Sequence, residues 1–188
     1  MKKILFLAGI ASFVLFSCGQ QRQKEEAEVS AETSQVEHFM ENLAALCGKE
    51  LTGTVFIDTE QPKLAGKPIT FDFASCTPGE IRIATQMESA EQLTIILTLI
   101  NDELLLKHDI REKNNMPTDA TMYGGFASDD GTALRQIFPV HNFGREMWPG
   151  FENKSWEICI TPEENKLEYM ELTEDIIKRH FILEIPQL

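Results

Sequence analysis

The chain has 188 residues, 17 Lys and Arg against 30 Asp and Glu, and a formal charge of −13. That length suits one folded domain. The acidic balance argues against nucleic acid and anionic lipid head groups as surface partners, since both are recognised through clustered Lys and Arg.

Met1-Lys2-Lys3 precedes an apolar run from Ile4 to Phe16. A short positive segment followed by about a dozen apolar residues describes a secretory leader. The run is too short for a spanning helix, which needs roughly 20 apolar residues. Leu15-Phe16-Ser17-Cys18 resembles a bacterial lipobox, with a small residue before the cysteine. The expectation is a lipoprotein signal peptide over residues 1–17, cleaved so that Cys18 carries the lipid. Removing it with Lys2 and Lys3 leaves 15 cationic and 30 acidic side chains, a charge of about −15. Two or more acyl chains hold a protein stably at a bilayer, since each buried methylene contributes about 0.8 kcal/mol. Gly19-Gln20 lacks the aspartate associated with inner-membrane retention, which points to the outer membrane, on its periplasmic or its surface face. Residues 19–35 hold one valine and no other large apolar side chain. With so little to bury, residues 18–35 read as the lipidated cysteine and a flexible tether. Residues 36–188 read as a single β domain.

The domain opens with a helix. Ser34-Gln35-Val36-Glu37 has the spacing of a capping box, and Val36, Phe39, Met40, Leu43, Leu46 and Cys47 recur at helical intervals. Gly48 stands where a left-handed cap is wanted. The period then changes to two, predicting strands over 51–58, 68–75, 80–85, 93–100, 103–111, 120–127, 132–139, 155–161, 166–173 and 179–185. Asn101-Asp102, Asp129-Asp130-Gly131 and Pro162 through Asn165 supply turns, and residues 141–148 a short helix. Ten short strands with tight turns predict an antiparallel meander, closed or nearly closed into an up-and-down, calycin-like barrel with the helix as plug or lid. A two-layer β-sandwich is the alternative.

Four cysteines occur. With Cys18 lipidated in an oxidising compartment, Cys47 at the helix end and Cys76 at a strand end suit a disulfide. Closing a loop of about 30 residues would contribute roughly 3 kcal/mol. Two free buried thiols are the competing reading, and Cys159 alternates like a strand residue.

In Leu104-Leu105-Leu106-Lys107-His108-Asp109-Ile110-Arg111, period two places His108 on a face with Leu104, Leu106 and Ile110, pointing into the barrel. A ligand contact or a core histidine satisfied by a neighbour both fit. Tyr123 adjoins Gly124-Gly125, which permits close backbone approach. Arg82 and Arg135 are single cations between apolar neighbours, which either hold a carboxylate inside the barrel or face water. Trp148 and Trp156 suit either a binding platform or packing. No zinc-protease, paired-cysteine, nucleophile-elbow or phosphate-loop motif occurs. His38, His108, His141 and His180 lack metal-site spacing, and no metal or other cofactor is expected.

Leu46-Cys47-Gly48-Lys49, Glu80-Ile81-Arg82-Ile83, Leu106-Lys107-His108-Asp109, Thr121-Met122-Tyr123-Gly124-Gly125 and Arg135-Gln136-Ile137-Phe138-Pro139 together resemble an uncharacterised family of bacterial secreted proteins and lipoproteins. The resemblance implies one secreted domain and draws attention to His108, Tyr123 and Arg135, without implying a reaction. Family members continue His-Asp with further histidines where this chain has Ile110 and Glu112, so it implies no metal site here.

The functional expectation is a lipid-anchored, non-enzymatic envelope barrel that binds a small amphipathic or lipophilic ligand. His108, Tyr123, Arg82 and Arg135 are its candidate polar contacts, and the membrane is its partner through the lipid. An envelope structural or interaction protein acting through its surface is the alternative, and a hydrolase without a familiar motif the third reading.

Overall fold

The computed structural model describes residues 34–88, 91–119, 121–147 and 150–186. The expected leader, Cys18 and the tether up to residue 33 lie outside the described residues. Helix α1, Gln35–Ala44, opens on the anticipated capping box. The Ser34 amide donates to the Glu37 carboxylate at 2.8 Å, and the Ser34 hydroxyl accepts from the Glu37 amide at 3.3 Å. Two amides that the first turn leaves without intrahelical partners are thereby satisfied. Gly48 turns the chain with φ +78°.

Ten strands follow: β1 Glu50–Asp58, β2 Pro68–Thr77, β3 Glu80–Met87, β4 Glu91–Ile100, β5 Glu103–Glu112, β6 Tyr123–Phe126, β7 Arg135–Pro139, β8 Lys154–Thr161, β9 Lys166–Thr173 and β10 Ile176–Glu184. They form one antiparallel sheet in the order β6-β5-β4-β3-β2-β1-β10-β9-β8-β7. The sheet curls until its edge strands meet. The Ser128 amide donates to the Ile137 carbonyl at 2.8 Å and the His141 amide to the Gly124 carbonyl at 3.1 Å. The architecture is therefore a nearly closed meander barrel and not a sandwich. Curling in this way protects the edges that a flat sheet would leave open.

Two hairpins turn through paired left-handed residues, Asn101-Asp102 and Glu174-Asp175, the twist that two-residue hairpins favour. β7 starts three residues later than the alternation predicts. The Thr132 hydroxyl accepts from the amides of Leu134 and Arg135 and folds that segment into a turn. β6 is likewise cut short, because the Met122 amide reaches back to the His108 carbonyl with Met122 itself left-handed, φ 62°.

The inner face is filled. Leu51, Val55, Phe71, Phe73, Ile83, Ile95, Leu97, Leu106, Phe138, Trp156, Leu167, Phe181 and Leu183 are buried together with Phe39 and Leu43 of α1. Each such side chain contributes about 1.5–3 kcal/mol on leaving water. Because consecutive strands alternate in direction, the β2–β3, β4–β5, β6–β7 and β8–β9 connections lie at one end, and α1 lies there too. The disulfide Cys47–Cys76 fixes the end of α1 to the end of β2, as expected. Cys159 in β8 is a free, half-buried thiol. Helix α2, Asn142–Met147, belongs to the opposite end. Among the described residues, the cap, the core and the disulfide together form one continuous unit from Ser34 to Pro186.

Candidate functional site

The end of the barrel away from α1 holds a buried polar cluster built from five strands, β1, β5, β8, β9 and β10. In β5, alternation sends Leu104, Leu106 and His108 inward, and His108 is fully buried. In β9, Leu167, Tyr169 and Glu171 share that inner face. Glu171 lies directly across from Trp156 of β8 on one side and Arg179 of β10 on the other. Lys154, one inward step from Trp156, pairs with the Glu171 carboxylate. Arg179 reaches Glu171 at 3.4 Å and Asp58 at 3.1 Å. Asp58 arrives there through a register shift in β1 between Val55 and Ile57. The bulge leaves Phe56 pointing outward at 60 % exposure and turns the last residue of the strand toward the barrel mouth. Glu60, more exposed, joins at 3.5 Å from Arg179 and 3.7 Å from Lys154.

His108 connects this charged group to the aromatic core. Its Nδ1 lies 3.2 Å from the Tyr123 carbonyl oxygen and its Nε2 lies 2.7 Å from the Tyr169 hydroxyl. A carbonyl only accepts, so Nδ1 carries the proton, and Nε2 accepts from Tyr169. The imidazole is thus the neutral Nδ1–H tautomer. Its ring stacks on Tyr123 at 4.7 Å and leans on Trp156 at 4.9 Å. Burial lowers the His108 pKa to about 4, against a partial counter-pull from Glu171. Burial likewise pushes the Tyr169 hydroxyl well above its ordinary value, with Glu171 adding to the rise. For Glu171, burial favours the neutral acid, but Lys154 and Arg179 more than reverse this and hold the carboxyl below its usual range. The cluster therefore sets two cations, Lys154 and Arg179, against two buried carboxylates, Glu171 and Asp58, beside a neutral, fully buried histidine.

The four ligand contacts expected from sequence do not converge. His108 and Tyr123 are buried neighbours on the inner face, register partners across β5 and β6. Arg82 and Arg135 lie on the outer face with 44 % of each side chain exposed, and they pair with Glu80 at 2.8 Å and Glu157 at 2.7 Å. The physical reason is parity: Ile81 and Ile83 turn inward, as do Gln136 and Phe138, so the residues between and beside them face water. A binding site joining all four inside the barrel is thereby corrected. Trp156 is core, fully buried; Trp148 lies outside the described residues. Among the described residues, no group of three or more His, Cys, Asp and Glu side chains is placed to hold a metal ion, and no helix is long and apolar enough to cross a membrane.

One accessible concavity of apolar character lies at the other end. A groove of ≈ 450 Å³ runs between α1 and the β2–β3 hairpin, floored by Met40, Ala44, Ile81 and Leu99, walled by Cys76, Pro78 and Gly79, and edged by Glu37, Glu41 and Thr77. The α1 contributors are spaced at i, i+3, i+4 and i+7, one stripe beside the face that enters the core. Sequence periodicity assigned Met40 to the core and gave no sign that Ala44 borders a groove, because the groove exists only once the disulfide brings the hairpin alongside the helix.

These features define a nearly closed, helix-plugged antiparallel barrel with a polar cluster at one end and an apolar groove at the other. The chain matches no protein-family model, no curated protein and no solved structure.

Proposed function

We propose that the protein is a lipid-anchored, non-enzymatic binding protein of the bacterial cell envelope, probing its surroundings for a small amphipathic ligand. The ligand's apolar part is taken into the groove between α1 and the β2–β3 hairpin, not onto the barrel axis. The observation that supports this reading is the contrast between the two regions. The axis is packed with side chains, whereas the groove is open, mostly aliphatic and ≈ 450 Å³ in volume, within the roughly 300–1,000 Å³ of small-molecule sites. The leader, the lipid on Cys18 and the outer-membrane location belong to the same proposal and rest on residues 1–26.

The test uses the chain from Ser34 onward, secreted into the periplasm so that the disulfide forms, with N-phenyl-1-naphthylamine as a neutral apolar probe. Saturable fluorescence enhancement, abolished by Ala44→Trp and retained by His108→Gln, supports groove binding. Ala44 is exposed, so a larger side chain fills the groove without disturbing the core. Equal binding by Ala44→Trp, or no saturable binding at all, overturns the reading. The second reading, an envelope structural or interaction protein, then takes precedence. It draws on Phe56 and Ile176, which stand 60 % and 58 % exposed at the barrel end away from α1, as buried partners would.

A further inference from the structure

We infer that the ligand of this groove carries a cationic head group on an aliphatic chain; the inference rests on the groove being the binding site. Both ionisable side chains on its edge, Glu37 and Glu41, are carboxylates on the same α1 stripe, and among the described residues no Lys or Arg lines it. Among the described residues, neither carboxylate is paired with a Lys or Arg. Glu37 accepts from the Ser34 amide, a neutral donor, at 2.8 Å, and Glu41 has only His38, whose Nδ1 lies 3.2 Å away at an exposed position. Of the cations close in sequence to the groove lining, Arg82 turns back onto Glu80 at 2.8 Å, and Lys49 borders the separate concavity beside Ala45 and Leu46.

The surroundings reinforce this sign. At the same barrel end the β4–β5 turn carries Asp102, next to Glu103 at the start of β5, and the β6–β7 connection carries Asp129 and Asp130. A chain of aliphatic carbons seated on Met40, Ala44, Ile81 and Leu99 would place its polar end among carboxylates. An ammonium or guanidinium gains there by Coulomb attraction and by charge-assisted hydrogen bonds. A fatty carboxylate or phosphate would meet repulsion from the same groups. The groove therefore selects for charge through its edge and for chain through its floor.

Displacement of the naphthylamine probe by decyltrimethylammonium and by decanoate, both below micelle-forming concentrations, tests the head-group sign. The cation should displace at a concentration roughly tenfold lower than the anion, as two surface carboxylates acting on opposite charges allow. The advantage should shrink at high salt. In Glu37→Gln/Glu41→Gln it should fall to roughly threefold or less, with probe binding intact; glutamine at position 37 still serves the capping box. Equal displacement by the two amphiphiles, or a preference unchanged in the double variant, overturns the cationic head group while leaving groove binding in place. Failure of the probe to bind the native protein at all overturns both.

Discussion

Tyr169 of β9 donates its hydroxyl proton to Nε2 of His108 in β5 across 2.7 Å, joining two strands that are not neighbours in the sheet. The bond crosses the barrel interior, and the Tyr123 carbonyl fixes the other side of the ring. Tyr169→Phe keeps the ring packing against Phe181 and leaves Nε2 of His108 buried without its donor. The expected loss is about 1–3 kcal/mol, read as a shift in the urea midpoint at pH 7.5. An unchanged midpoint would mean that this bond contributes nothing to stability.

Acid should weaken the fold in a window set by His108. Its folded pKa, about 4, lies below the ordinary 6.5. The unfolded chain therefore binds the proton first as pH falls, and stability drops between pH 6.5 and about 4. The full effect is about 3 kcal/mol. Glu171, held below its ordinary range, loses its contribution in the same direction at lower pH. Urea titrations of the native protein and His108→Gln at pH 7.5 and 4.5 separate the two, since the glutamine variant should lose markedly less stability between these values. Parallel losses would remove His108 as the cause.

Inner and outer ion pairs should differ in worth. Glu171→Ala leaves Lys154 and Arg179 without their shared carboxylate in a buried setting, at a cost of about 3–5 kcal/mol. Arg135→Ala breaks only the exposed contact with Glu157 and should cost about 1 kcal/mol or less. Comparable values for the two variants in chemical denaturation would contradict the placement of these residues on opposite faces.

The seam of the barrel depends on Gly125. A Cβ there would fall onto the Pro139 carbonyl oxygen, a backbone atom of β7 that has no freedom to swing away. Gly125→Ala should part β6 from β7. Hydrogen exchange should then rise at the amides of Ser128 and His141, the two seen to bond across that seam, with the β8–β9 ladder still protected. Unchanged exchange at both amides would show that the seam tolerates the methyl group.

The cysteines offer a direct chemical check. Alkylation of the unfolded, unreduced protein should modify Cys159 and spare Cys47 and Cys76. Reduction should then cost about 2–4 kcal/mol of stability. Labelling of Cys47 before reduction would refute the bridge.

Most of the fold was legible because it depends on local alternation. The strand runs, the capping box, Gly48 and the disulfide each follow from residue spacing and turn chemistry, and the inward placement of His108 follows from Leu104 and Leu106. Parity also held the answer for Arg82, since Ile81 and Ile83 cannot both face inward unless the arginine between them faces out. The polar cluster was harder to see. In β9, Leu167-Tyr169-Glu171 competes with an outer face that carries Met170 and Leu172, so the hydrophobic pattern does not identify the inner one. Asp58 was hidden altogether, because the bulge at Phe56 reverses the alternation that would have sent it outward. Neither the partners of Glu171 nor the groove beside α1 is a local property; both arise from strands and hairpins brought together by closure.

The bridge between Cys47 and Cys76 also determines how the domain would bear tension. The chain enters the domain at Ser34 and the first turn of α1, so a pull applied on that side acts on the helix before it reaches a strand. Helical turns peel one hydrogen bond at a time under such a load, whereas a covalent crosslink does not yield. Stretching from the N-terminus could strip α1 from the barrel only as far as residue 47. Beyond that point the force passes through sulfur into the β2–β3 hairpin, where many ladder bonds must break together.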